Sequence, residues 1–158
     1  MNLIIDISDM KVSNSTDDIL VTYSLGSCIG VTLYDPVARV GGMAHCMLPL
    51  SKTDPEKAKI RPAMFTDTGV SALLQTALDM GAQKQRLIIK VAGAAQLMDE
   101  NGTFRIGERN LVVLRKVLWK NNIIIAAEDV GGTIARTVFL YMDTGKTVVR
   151  SQRMEREL

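Results

Sequence analysis

The stretch TYSLGSCIGVTLYDPVARVGGMAHC, residues 22–46, decides how the chain is read. Gly26 and Ser27 punctuate it, and from Cys28 to Tyr34 it has the period-two alternation of a β-strand. Ile29, Val31 and Leu33 form the continuous apolar side, whereas Cys28 shares its side with Gly30, Thr32 and Tyr34, the less greasy and more open face. A packing cysteine would belong on the isoleucine side. Asp35-Pro36-Val37-Ala38 then reads as a tight turn with Pro at its favoured position. Val40 to Leu48 resumes as strand and carries the only histidine, His45. A two-residue loop, Pro36 and Val37, pairs 35 with 38 and brings Cys28 opposite His45, where facing Cβ atoms lie roughly 4.5–5.5 Å apart. Gly41-Gly42 offers a place for a compensating bulge.

That register has chemical content. A free thiol with a pKa of about 8.5 is only slightly ionised at neutral pH, and an adjacent imidazole promotes its ionisation. Cys28 is therefore the candidate nucleophile and His45 its base, while backbone N–H groups at the Ser27 turn are candidates to hold an oxyanion. An isolated cysteine or histidine in a small domain is more commonly a core or surface residue; the shared hairpin and the Gly-Ser turn favour the chemical reading. Thr22 has an ordinary reading as a β-branched strand former, and its hydroxyl could also orient His45. Cys46, adjacent to His45, points to the opposite face and reads as packing. Cys28, His45 and Cys46 are the only soft ligands and cannot converge on a tetrahedral ion, so no metal or other cofactor is expected.

Working outward, short β-branched runs at Leu3 to Ile5 and Ile19 to Tyr23 precede the hairpin, and the first third reads as a meander of strands. Beyond a polar, Pro-containing loop from Ser51 to Pro62, Val70, Leu73, Leu74 and Ala77 recur at helical spacing with Gly81 at the C-terminal cap. Leu87 to Val91 reads as a buried strand. Leu111, Leu114 and Leu118 mark a second helix ending near Asn121-Asn122, and Ile123 to Ala127 returns to strand. Thr133 to Met142 and Lys146 to Arg150 form a hairpin about Asp143-Thr144-Gly145, and SQRMEREL reads as a solvated tail. Thr144-Gly145-Lys146-Thr147 resembles the end of a phosphate-binding loop, but position 140 is Leu and the segment joins strands, so nucleotide binding is rejected. Asp35, Glu128 and Asp129 sit in turn-like contexts that suit solvated or backbone-capping roles. Strands mixed with only two helices, without internal repeat, predict one α+β domain over residues 1–158: sheet packed on sheet and covered by helices.

Composition narrows the function classes. Nineteen basic against seventeen acidic residues and 4% aromatics offer neither a phosphate-binding surface nor a stacking platform, so nucleic acid is not an expected partner. No apolar run is long enough to cross a bilayer and MNLIIDISDM lacks the pattern of a signal peptide, so cytoplasmic residence is expected.

Thr22-Tyr23-Ser24-Leu25-Gly26-Ser27-Cys28, Tyr34-Asp35-Pro36 and Gly42-Met43-Ala44-His45-Cys46-Met47-Leu48-Pro49 together resemble the CheD family of bacterial chemoreceptor glutamine deamidases. The resemblance continues through Gly93-Ala94-Ala95, Ile106-Gly107-Glu108-Arg109-Asn110, Glu128-Asp129-Val130-Gly131-Gly132, Arg136 and the Thr144-Gly145 hairpin. It implies a Cys-His-Thr triad at Cys28, His45 and Thr22, and a fold like that of the cysteine-dependent deamidating toxins. It further implies hydrolysis of selected glutamines on the cytoplasmic domain of methyl-accepting chemotaxis receptors through a thioester, and binding of the phosphatase CheC. Over Leu97 to Phe104 the chain departs from the pattern, being longer than some relatives and carrying Met98 where an exposed aromatic can stand. Two rival functions share these residues: a glutamyl methylesterase forming the same thioester, and a non-catalytic adaptor that binds receptor or phosphatase.

Overall fold

Asp35 determines where the central hairpin turns. In the computed structural model, which describes residues 1–96 and 105–158, β4 (Ile29–Asp35) and β5 (Val40–Cys46) pair from Asp35 opposite Val40 to Ile29 opposite Cys46. The loop therefore spans four residues, 36–39, instead of two. Its conformation depends on the Asp35 carboxylate, which accepts the N–H groups of Val37 and Ala38 at 2.9 and 3.0 Å, while Arg39, at φ 55°, donates its N–H to the Asp35 carbonyl at 2.8 Å. Asp35 is fully buried and pairs with Arg86 at 2.9 Å. Burial opposes its charge, but hydrogen bonds from Arg86 and from the backbone of Gln83, Ala38 and Val37 outweigh that and hold the carboxyl below the usual carboxylate range. Of the solvated or backbone-capping roles expected for Asp35, the structure has the backbone-capping one, with the carboxylate buried and ion-paired instead of solvated. The ladder runs without the bulge that Gly41-Gly42 had offered.

The register correction moves His45 from opposite Cys28 to opposite Gly30. An offset of two residues preserves which face each side chain occupies.

The hairpin forms the middle of one five-stranded sheet, in the order β2-β5-β4-β6-β7, with β2 at Asp9–Ser13, β6 at Ile88–Gly93 and β7 at Ile125–Val130. A second five-stranded sheet has the order β1-β3-β8-β9-β10: Asn2–Ile4, Ile19–Leu25, Arg136–Tyr141, Lys146–Ser151 and Met154–Glu157. The first third is accordingly not a simple meander, because β3 and β4, although consecutive, belong to different sheets. The terminal tail is also corrected: β10 pairs with β9 as an exposed, charged edge strand, of the kind that discourages further pairing.

The two faces of β4 enter two different cores. Ile29, Val31 and Leu33 pack with Ala44 and Cys46 against α2 (Thr66–Asp79) and α3 (Ile106–Lys120), whose buried positions include Leu73, Ala77, Leu114 and Leu118. Their partners on the reverse face lie between the sheets, where Tyr34 and Met43 meet Leu20, Leu25, Val138, Leu140 and Val149. The face read as more open is closed here, and the hydroxyls of Thr32 and Thr147 meet across the gap at 2.8 Å. The layers are thus sheet, sheet and helices, the predicted α+β sandwich. Both predicted helices form, and a short additional helix, α1 (Pro55–Ile60), lies within the segment read as loop. Residues 97–104, where the chain departs from the resembled pattern, lie outside the described residues.

Candidate active site

Between β3 and β4 the chain crosses from one sheet to the other, and Gly26-Ser27-Cys28 is that crossing. All three carbonyls are committed. Gly26 O accepts the Ala95 N–H at 2.9 Å, Cys28 O accepts the Ala94 N–H at 2.8 Å, and Ser27 O accepts the side-chain amide of Asn110 at 3.0 Å. The bracing segment is itself shaped for close approach. Gly93 has φ +102°, and a Cβ there would fall 2.5 Å from the Cys28 carbonyl oxygen. Arg136, almost wholly buried, donates to the carbonyls of Gly93, Gly131 and Ile134 and pairs with Asp129. Asp129 is therefore a structural ion-pair partner, as is Glu128, which pairs with Arg115 at 2.8 Å.

His45 projects from β5 into the space between the sheets and is 1% exposed. Thr22 projects toward it from β3 in the opposite sheet, and Thr22 Oγ1 lies 2.6 Å from His45 Nδ1. The same hydroxyl is 2.7 Å from the Ile5 carbonyl, which can only accept. With its single proton given to Ile5, Thr22 must accept from Nδ1, so Nδ1 carries the imidazole hydrogen and Nε2 presents a bare lone pair. Nε2 is buried and has no hydrogen-bond partner among the described residues, Cys28 included.

Cys28 is half-buried on the same side of the sheet, two residues before Gly30, which faces His45, and just ahead of the first residue of β4. Burial raises its thiol pKa, partly offset by its own backbone N–H. Burial pushes the His45 imidazole down to about 4, against the opposing pull of the Asp6 carboxylate. The expected imidazole-promoted ionisation is therefore not the resting arrangement; thiol and imidazole are both neutral. Cys46 is fully buried against α2, and burial, reinforced by the charges of Cys28 and Asp67, pushes its thiol up to about 12, in keeping with packing. Among the described residues no three His, Cys, Asp or Glu side chains gather as a metal site, and no helix is long and apolar enough to cross a membrane.

Reading by residue type singled out Thr22, Ser27, Cys28 and His45; the fold joins Thr22 to His45 directly and packs Cys28 against the core between the sheets, with Ser27 beside it in the crossing segment. It did not single out Ile5, Asn110 or Arg136 for positions beside the site. Ile5 acts through its backbone, which no side-chain pattern reveals. Asn110 and Arg136 appeared only within resembled motifs, although a polar residue on the apolar stripe of α3 was a usable signal for Asn110.

A partly buried thiol that shares a face with a tautomer-fixed imidazole defines the class of site: a Cys-His pair on a two-sheet scaffold. The chain belongs to the CheD family. The family model described as "CheD chemotactic sensory transduction" matches residues 47–151. A probable chemoreceptor glutamine deamidase CheD 1 of Syntrophus aciditrophicus is 51% identical over 150 residues, covering 95% of this chain and 94% of that protein. A protein of the same description from Solibacter usitatus is 44% identical, covering 99% and 92%. These two alignments run nearly the full length, whereas the family-model match begins beyond Thr22, Cys28 and His45. Among solved structures, the hypothetical protein YfiH of Bacillus licheniformis aligns with a TM-score of 0.45 at 16% identity, over 77% of this chain and 49% of that one.

Proposed function

We propose that this protein hydrolyses the side-chain amide of selected glutamines on the cytoplasmic domain of methyl-accepting chemotaxis receptors, with Cys28 as nucleophile, His45 as base and acid, and Thr22 as the residue that orients His45. The observation that carries this reading is the proton inventory at Thr22: with its hydroxyl committed to Ile5, Nε2 is left unprotonated, buried and on the face of Cys28. Full-length similarity to proteins named as chemoreceptor glutamine deamidases supports the substrate. The reading extends to a cytoplasmic protein that docks a CheC phosphatase, which the sequence resemblance implies.

Because the resting pair is neutral, the thiolate is made during attack. Nε2 takes the Cys28 proton as sulfur bonds to the amide carbon, and the N–H groups of Ser27 and Cys28 hold the developing oxyanion. Collapse breaks the C–N bond, the imidazolium returns its proton to nitrogen, and ammonia leaves a γ-glutamyl thioester. Nε2 then deprotonates water, which attacks the thioester, yielding glutamate and the free thiol. No cofactor enters. The carbonyl commitments of Gly26 and Ser27 favour the oxyanion assignment, since in a trans peptide the following N–H points away from the carbonyl's partner.

The test is incubation with a chemoreceptor cytoplasmic fragment, followed by mass spectrometry and ammonia assay. Glutamine-to-glutamate conversion by the native protein, absent from a folded Cys28→Ala variant, is the expected result. Methanol release from a methylated receptor without ammonia would assign the esterase reading instead. Receptor binding without turnover in either protein would assign an adaptor.

A further inference from the structure

The side chain of Asn110 reaches both halves of the site. It is fully buried on α3, and the two hydrogens of its amide serve two carbonyls: Ser27 O at 3.0 Å and Met47 O at 3.1 Å. Ser27 immediately precedes Cys28, and Met47 lies two residues beyond His45. The amide is held in this orientation by its two carbonyl partners, which can only accept, and its oxygen is satisfied by the hydroxyl of Thr66, at the start of α2, which donates to it at 3.0 Å. Reversing it would set an amide oxygen against two carbonyl oxygens.

Ser27 O and the N–H of Cys28 belong to one peptide plane, so whatever fixes the carbonyl fixes the N–H on the opposite side. We infer that Asn110 is a positioning residue for the oxyanion: by holding Ser27 O it aims the Cys28 N–H toward the space in front of the thiol, and Thr66 anchors the amide that does so by satisfying its oxygen. This assignment rests on the deamidase reading. Asn110 touches neither substrate nor thiol, and a purely structural role for a buried amide is the competing explanation.

The two roles separate by reaction type. Amide hydrolysis builds an oxyanion in its transition state. Alkylation of Cys28 by iodoacetamide does not, because sulfur displaces iodide at a saturated carbon. The experiment therefore measures kcat and KM for ammonia release from a receptor fragment, alongside the alkylation rate of Cys28, in native protein, Asn110→Leu, Thr66→Val and Thr66→Ser; Cys46, being buried, does not compete for the reagent. Loss of one oxyanion donor typically lowers kcat about 100-fold or more, and that is the fall expected for Asn110→Leu, with KM and alkylation rate close to native. Thr66→Val shows a smaller fall of the same kind, and Thr66→Ser, which keeps the hydroxyl, restores native kcat. Should Asn110→Leu fail to fold, the Thr66 pair decides. Alkylation falling in parallel with kcat, or native kcat in both Asn110→Leu and Thr66→Val, overturns the assignment. A native protein that releases no ammonia overturns the deamidase reading itself, and this assignment with it; an active native protein with unaffected variants overturns the assignment alone.

Discussion

The Thr22 hydroxyl sets a direction on the imidazole: it gives its proton to Ile5 and so holds the hydrogen of His45 on Nδ1. Thr22→Val keeps the shape and removes the hydroxyl. Two buried groups, Ile5 O and the Nδ1 hydrogen, lose their partner, at about 1–3 kcal/mol in stability by chemical denaturation. Ammonia release should fall further than that loss of stability explains, because the imidazole is free to place its hydrogen on Nε2; Thr22→Ser should retain most of both. The low pKa of His45 has two consequences. For kcat/KM, the acid limb should lie near pH 4 instead of at the ordinary imidazole value near 6.5, since Nε2 needs its lone pair. For stability, the unfolded imidazole takes up a proton below about 6.5 that the folded one refuses until about 4, so the unfolded state binds more protons in that window. Stability should therefore fall as the pH drops from 6.5 toward 4, by thermal melts at matched ionic strength. The residue types of this site were legible in the sequence because thiol, imidazole and hydroxyl each have few roles. The tautomer was not, since it depends on a carbonyl seventeen residues from Thr22.

At the scale of elements, alternation along β4 was readable because a strand's period is fixed at two, and Cys28 and Cys46 do occupy opposite faces. Register was not readable. It turns on whether the loop holds two residues or four, and the four-residue form depends on Asp35, whose charge is balanced by Arg86, 51 positions away. The helices show the same division. Their apolar stripes were plain, but the close approach of the first turn of α3 to residues 94–95 depends on Gly107, where a Cβ would come 2.6 Å from the carbonyl oxygens of both Ala94 and Ala95. Replacing a helical glycine with alanine ordinarily gains roughly 0.5–1 kcal/mol. Gly107→Ala should instead lower the melting temperature, since both obstructing atoms are backbone, and should lower ammonia release, since Ala94 and Ala95 brace the Cys28 turn.

For the whole molecule, sheet-on-sheet packing under helices could be anticipated from composition and punctuation, but the membership of each sheet could not. Strands β3 and β4 are neighbours in sequence and part at Gly26-Ser27-Cys28, whereas β3 and β8 are separated by more than a hundred residues and pair. Apart from the Thr32–Thr147 and Thr22–His45 contacts, the interface between the sheets is built from apolar side chains, among them the fully buried Leu140, which pairs with Leu20 on the neighbouring strand of its own sheet. Leu140→Ala should cost about 2–5 kcal/mol, measured by urea unfolding. Ammonia release and circular dichroism should be lost in one transition, because the Thr22–His45 bond crosses that same interface. The crossing also has a meaning in time. Thr22, Cys28 and His45 all leave the ribosome within the first third of the chain, yet β8, which flanks β3, and Arg136, which braces the turn at Cys28, are made near the end. The N-terminal third thus carries Thr22, Cys28 and His45, but the strand that pairs with β3 and the arginine that holds Gly93 O are supplied from the other end of the sequence, so the site is completed only when distant parts of the chain have met.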